Sequence, residues 1–170
     1  MKIWENGAAR EMTAEEIAEL EARPYEPVRY GETEAIASAV RLMMNGKTPQ
    51  TDDERIVCAA LYPEWSAGVH TQGEVYTVQG DVWECFQDYD TAVYPDISPT
   101  GGAWRTFNRP LHGTSPETAR PWAAPTGAHD MYKAGEYMIY SGKLYRCVSG
   151  TAYSPEDYAA AWVAAWCGNG

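Results

Sequence analysis

The chain of 170 residues carries seven Trp and twelve Tyr against two Phe, and this excess is the feature of the sequence with the clearest chemical use. Tyr and Trp join a flat apolar body to a polar tip. A ring left partly wet can therefore stack on the C–H face of a sugar while neighbouring Asp and Gln side chains bond the hydroxyl rim. The rings placed to do so flank two hairpins described below: Trp65 and Trp122 ahead of them, Tyr89 and Tyr94 after the first, Tyr153 and Tyr158 after the second. The same ring types also suit small modules that fill a poor core with large side chains, and the recurring pair Trp104 and Trp166 reads as core.

Catalytic constellations are absent from the sequence. His70, His112 and His129 are scattered, with no His-Glu-x-x-His, no Gly-x-Ser-x-Gly and no phosphate-cradling glycine loop. Carboxylate pairs such as Asp88 with Asp90 and Glu156 with Asp157 stand where turns and helix caps use them. Cys58, Cys85, Cys147 and Cys167 show no Cys-x-x-Cys spacing, so neither a zinc nor a redox signature is present. A non-catalytic protein without metal or cofactor is expected.

A formal net charge of −11 opposes binding to a polyphosphate, so nucleic acid is not an expected partner. No run approaches the roughly 18–20 apolar residues of a membrane span, and the first residues lack the apolar core of a signal peptide. Synthesis in a host cytoplasm is the expectation.

The elements that must position these rings are duplicated. Gly73-Glu74, Gly80 and Cys85 recur as Gly135-Glu136, Gly142 and Cys147, all 62 positions on, as Gly73 to Gly135. Trp83 and Tyr145 match two places before each Cys, and the same offset pairs Pro63 with Pro125 and Trp104 with Trp166. Each copy has the grammar of a β-hairpin, with two β-prone runs separated by Gln79-Gly80-Asp81 or Ser141-Gly142-Lys143. In the second strand Trp83 and Cys85, or Tyr145 and Cys147, share a face that points to a small core. Glu84 or Arg146 points away from it. The equivalent inward placement of Cys85 and Cys147 predicts two packed thiols and no bridge between them.

Ahead of the repeats, residues 4–12 read as an apolar-polar lead-in. Thr13-Ala14-Glu15-Glu16 is a capping box opening a short helix through about residues 20–22, stopped by Arg23-Pro24. Residues 33–44 form a second helix whose Ile36, Ala39, Val40, Met43 and Met44 make one apolar stripe. Thr51-Asp52-Asp53-Glu54 caps a third helix carrying Ile56, Val57, Ala60 and Leu61, completing a helical hairpin of the kind used for packing or oligomerisation. Residues 108–121 hold Pro110, Pro116 and Pro121 and read as a semi-rigid connector. After Ser154-Pro155, a helical face of Tyr158, Ala161, Trp162, Ala165 and Trp166 is predicted.

Taken together, a Trp, then Gly-Glu and Gly-Lys-Leu-Tyr-Arg-Cys, then Ser-Pro and a closing Trp resembles the small chitin/cellulose-binding carbohydrate-binding modules of families 5 and 12 (chitin-binding type 3). The copies in tail-associated proteins of phages and prophages of Gram-positive bacteria are closer still. There a helical hairpin ending in a segment like Leu61-Tyr62-Pro63-Glu64-Trp65 leads into Val-Trp-Glu-Cys-Phe-Gln and later Pro-Asp-x-x-Pro, here Pro95 to Pro99. The likeness spans roughly residues 33–107 and 122–166. It implies an α+β chain: an N-terminal helical segment (1–60), a first small, mainly β module (61–107), a Pro-rich linker (108–121) and a second module (122–170). It also implies a virion-associated accessory protein that binds a cell-surface or mucosal glycan, with other tail proteins as partners and a homo-oligomer, a trimer, built through the N-terminal helices. The tandem aromatics of sugar-binding members follow the second strand, where this chain has Gln87-Asp88 and Ser149-Gly150. Its sugar site would therefore use Tyr89, Tyr94, Tyr153 or Tyr158 with Trp65 or Trp122. The rival expectation is a purely structural tail or baseplate protein whose modules dock on other proteins.

Overall fold

The computed structural model describes residues 2–5, 8–44, 46 and 48–165. Where the sequence suggests only a lead-in, β1 (Lys2–Glu5) pairs antiparallel with β2 (Ala8–Glu11). Thr13 then opens α1 (Ala14–Ala22) with the expected reciprocal cap. Its hydroxyl accepts from the Glu16 amide and the Glu16 carboxylate accepts from the Thr13 amide. Arg10 holds the same carboxylate at 2.5 Å and, with the Thr13 amide, brings the Glu16 carboxyl down to about 2.

α2 (Glu32–Met44) is followed by the second capping box, Thr51 with Glu54, which opens α3 (Asp52–Val57) and leads to a 3-10 turn at Ala59–Leu61. The helical hairpin forms, but α2 docks through the fully buried Ala35, whose carbonyl receives the Cys58 thiol. Of the expected stripe, Ile36, Val40 and Met43 face solvent and Ala39 is half-buried, while the Met44 side chain lies outside the described residues. A small residue lets two backbones approach closely, so the docked face of α2 is set by Ala35 and the larger apolar face is left uncovered.

The first module comprises β3 (Val69–His70), β4 (Val75–Val78), β5 (Asp81–Cys85), β6 (Tyr89–Asp90), α4 (Trp104–Phe107) and β7 (Asn108–Pro110). β4 and β5 form the predicted hairpin, β7 adds to the far edge of β5, and β3 pairs with β6. The second module comprises β8 (Arg120–Pro121), β9 (Tyr137–Tyr140), β10 (Lys143–Cys147) and β11 (Trp162–Ala164), ordered β11-β10-β9-β8 with β8 parallel to β9. Both hairpins turn on two residues of positive φ, Gln79 (52°) with Gly80 (78°) and Ser141 (51°) with Gly142 (72°). This is the mirror-image turn that matches strand twist.

The duplication is physical as well as textual. The Gly73 amide donates to Cys85 O at 2.7 Å and the Gly135 amide to Cys147 O at 2.8 Å, and each Cys amide returns a bond to Glu74 O or Glu136 O. Each thiol donates to the carbonyl two residues on, Gln87 O or Ser149 O. Upstream of the hairpins the register changes. Trp65 donates from its amide to Thr77 O as Trp122 does to Ile139 O, so these two rings are counterparts at a separation of 57 (65 to 122). Pro125 is consequently not the partner of Pro63. It lies in an added loop running to Asp130.

Trp166, expected in the core, and Cys167 lie outside the described residues; within them Trp162 packs edge-on against Trp122 (5.9 Å, 83°) as Trp104 packs against Trp65 (5.5 Å, 86°). The predicted C-terminal helix is a single capped turn, with Ser154 accepting from the Asp157 amide, then a short 3-10 turn and β11. The free edge of β10 takes this segment as a strand, with Cys147 opposite Trp162.

Each hairpin is buried on both faces. Cys85 lies with Tyr76, Ile97 and Trp104 on one face of the first, and Val82 lies with Ile56 of α3 and Leu111 on the other. Cys147 lies with Tyr132, Met138 and Trp162 on one face of the second, and Leu144 with Ala119 and Ile139 on the other. Residues 108–121, expected to be a connector, belong to these sheets through β7 and β8, both edge strands, where a proline's missing donor is tolerated. Leu111 is fully buried, Asp52 accepts the His112 amide, and Asp53 accepts the Thr114 amide and the hydroxyls of Thr114 and Thr118. The proline-rich composition thus marks sheet edges and tight turns, not a tether.

Candidate functional site

Each module holds a three-ring stack. In the first, Trp65, His70 and Tyr89 lie nearly parallel, with centroid separations of 5.9 and 4.7 Å. In the second, Trp122, Tyr132 and His112 do so at 5.0 and 3.9 Å. The middle rings, His70 and Tyr132, hold equivalent positions. His70 Nδ1 faces Glu74 at 3.0 Å and Nε2 faces Ser66 O at 2.9 Å. His112 Nδ1 faces Glu136 at 2.9 Å, and its buried Nε2 has no partner among the described residues. A carboxylate oxygen only accepts, so Nδ1 is the nitrogen that donates to Glu136.

These stacks decide which of the sequence-predicted rings can meet a ligand. Tyr89 is 5% exposed, so no face is open. Its hydroxyl accepts from Trp65 Nε1 at 2.9 Å and pairs with Tyr76, which in turn bonds Asn108. Burial holds the Tyr76 and Tyr89 phenols above the ordinary range, so both stay protonated. The sequence places Tyr89 in a loop; the β3–β6 pairing turns it inward against His70 and Phe107. Trp65 and Trp122 are half-buried rims of their cores. Tyr94, Tyr153 and Tyr158 stand in the open, 58%, 64% and 48% exposed. The six residues are therefore two core edges, one core member and three free rings.

The carboxylates take the structural parts expected of them. Asp88 accepts the Gln72 amide, Asp90 the Ala92 amide and Glu156 the Tyr140 hydroxyl. Glu84, read from sequence only as outward-facing, joins Asp52 in bracketing Arg109, and it also takes Arg55. Burial opposes ionisation of Asp52, but the Arg109 guanidinium outweighs it and holds the carboxyl below its ordinary value. Among the described residues no group of three or more His, Cys, Asp and Glu side chains is placed to hold a metal, and no helix is long and apolar enough to cross a membrane.

Sequence reasoning passed over Arg29, Tyr30 and Arg120, which line a cavity between the helical hairpin and the first module. Arg120 lies in a stretch whose prolines dominate its reading, and Arg29 and Tyr30 fall between two predicted helices, in a segment without a motif. A lone Arg amid Pro, Thr and Ser carried no spacing that could have singled it out. No family model matches the chain, and no curated protein does.

Proposed function

We propose that the chain is a non-catalytic, virion-associated accessory protein of a phage or prophage tail, built on two modules of the small chitin/cellulose-binding type, that binds a cell-surface or mucosal glycan. The observation that carries this reading is the exposure of Tyr94, Tyr153 and Tyr158 beside cores that already use other rings. A phenol ring left in water offers a flat stacking face at small entropic cost. Exposed Val148 and Val163 extend the apolar surface of the second module, and Asp157 and Glu156 supply acceptors next to Tyr158 in the chain. A glycan array followed by titration of the positive sugars tests it. Tyr153→Ala and Tyr158→Ala should weaken binding by about 1–3 kcal/mol in sum while the melting temperature stays put. An array without hits removes the reading.

One observation favours the assembly reading as well. The open face of α2, Ile36, Val40 and Met43, has the helical spacing of a partner-binding stripe, and a homo-oligomer through it, such as a trimer, is compatible with glycan binding by the modules.

A further inference from the structure

A cavity of about 370 Å³ opens where residues 28–30 cross the 3-10 turn Ala59–Leu61 and the β4–β5 turn. Its lining combines the apolar Val28, Ile56 and Tyr62 with Arg29, Arg120 and Tyr30.

The two arginines are held in different ways. Arg29 is partly exposed and pairs with Asp81 at 2.7 Å while donating to Gly80 O at 2.6 Å. Arg120 is 7% exposed, and among the described residues its side chain donates only to carbonyls: Nε to Thr118 O at 3.3 Å and Nη2 to Glu117 O at 3.4 Å. Both contacts are at the long limit for such bonds. Arg55, Arg105 and Arg109, each better exposed than Arg120, all reach carboxylates, whereas among the described residues none lies within ion-pair distance of Arg120. Burial works against its charge, the Asp81 carboxylate partly supports it, and the nearby Arg29 adds repulsion. Buried cations are ordinarily paired, because desolvation is otherwise uncompensated.

We propose that this cavity binds a small carboxylate-bearing ligand with a ring-sized body, the carboxylate on the Arg120 guanidinium and the body against Ile56 and Tyr62. A carboxylate matches the planar fork of a guanidinium. A single negative charge suits the site better than a phosphate dianion, because Glu64 and Asp81 stand close by. Burial raises the Tyr30 phenol's pKa, so its hydroxyl remains a donor. The cavity lies at the lower end of the volumes that hold small ligands. It uses none of the exposed tyrosines and stands or falls apart from the glycan reading.

Such a carboxylate could belong to an acidic sugar or to an aromatic acid, and calorimetry on the full chain separates them with glucuronate and benzoate. Glucose and benzamide serve as neutral counterparts, and acetate and phosphate as bare anions. At least one ring acid should bind, with its neutral counterpart and both bare anions weaker by roughly tenfold or more. Arg120→Met should lose roughly tenfold or more of that affinity. Ala60→Leu, which keeps the charge and narrows the cavity, should lose it as well, so the test survives a misfolded arginine variant. No binding of either ring acid, equal binding of a neutral counterpart or a bare anion, or unchanged affinity in Ala60→Leu would each overturn the proposal.

Discussion

Arg105 of the first module donates to Asp130 of the second at 2.9 Å, and Asp130 is wholly buried. The same carboxylate accepts the amides of Thr126 and Gly127, and the neighbouring His129 stacks on Phe86 at 4.1 Å. The loop that breaks the repeat's register is thus the loop that fastens one module to the other.

Removing the Asp130 carboxylate should be costly, because Arg105 and two amides lose their acceptor together. Asp130→Ala should reduce stability by about 3–5 kcal/mol in urea unfolding. Burial opposes ionisation of Asp130, yet the Thr126 and Gly127 amides and Arg105 outweigh it and hold the folded carboxyl below its ordinary value. Its contribution is therefore complete above the unfolded value of about 3.9 and is lost as pH falls through the lower folded value. The wild-type chain should lose stability over that acid range, and an Asp130→Asn chain should lose less. Equal acid slopes in the two proteins would count against the assignment.

Both hairpin turns place a non-glycine residue at positive φ, Gln79 and Ser141. Asn tolerates that region better than either, so Gln79→Asn and Ser141→Asn should each raise stability by about 0.5 kcal/mol. The converse changes, Gly80→Ala and Gly142→Ala, should each cost about 1–2 kcal/mol. At Gly142 the added methyl would also press on Pro24. Thermal melts of the four variants decide the matter.

Burial pushes the Cys85 thiol up to about 11 and raises that of Cys147. At pH 8 the Cys85 thiolate is then about one part in a thousand. A thiol reagent added to the native protein should leave both residues unmodified until denaturant is present, as read by peptide mass mapping. Rapid native labelling of either would contradict the packing described.

Light scattering tests the open face of α2. If Ile36, Val40 and Met43 seal an oligomer, Met43→Glu should bring the mass down to that of a monomer without lowering the melting temperature of the modules. A monomeric wild-type protein would dispose of that interface.

Much of this arrangement could be read from residue types. The capping boxes at Thr13 and Thr51 are local chemistry, and they form as written. The hairpins announced themselves through Gly80 and Gly142, since a tight turn and two β-prone runs need no distant partner. What failed was long-range. Pro110 and Pro121 said that their strands could not be central but not that strands existed. The apolar period of α2 located a face, while the small Ala35 decided which face is docked. The 62-residue offset relates His70 to Tyr132 and Cys85 to Cys147 but breaks before them at Trp65 and Trp122, and nothing in the composition of residues 123–130 shows that they are an addition. Of the candidate rings, Tyr94, Tyr153 and Tyr158 are exposed, and Tyr89 is not, because a two-residue pairing between β3 and β6 turns it inward.

Because residues 108–121 are stitched into both sheets, the two modules behave as a ruler and not as weights on a string. A loose tether lets a second contact search whatever lies within its reach. Here the distance from the rings of one module to those of the next is set when the chain folds, so a glycan surface bound as proposed would have to match that pitch to engage both modules at once.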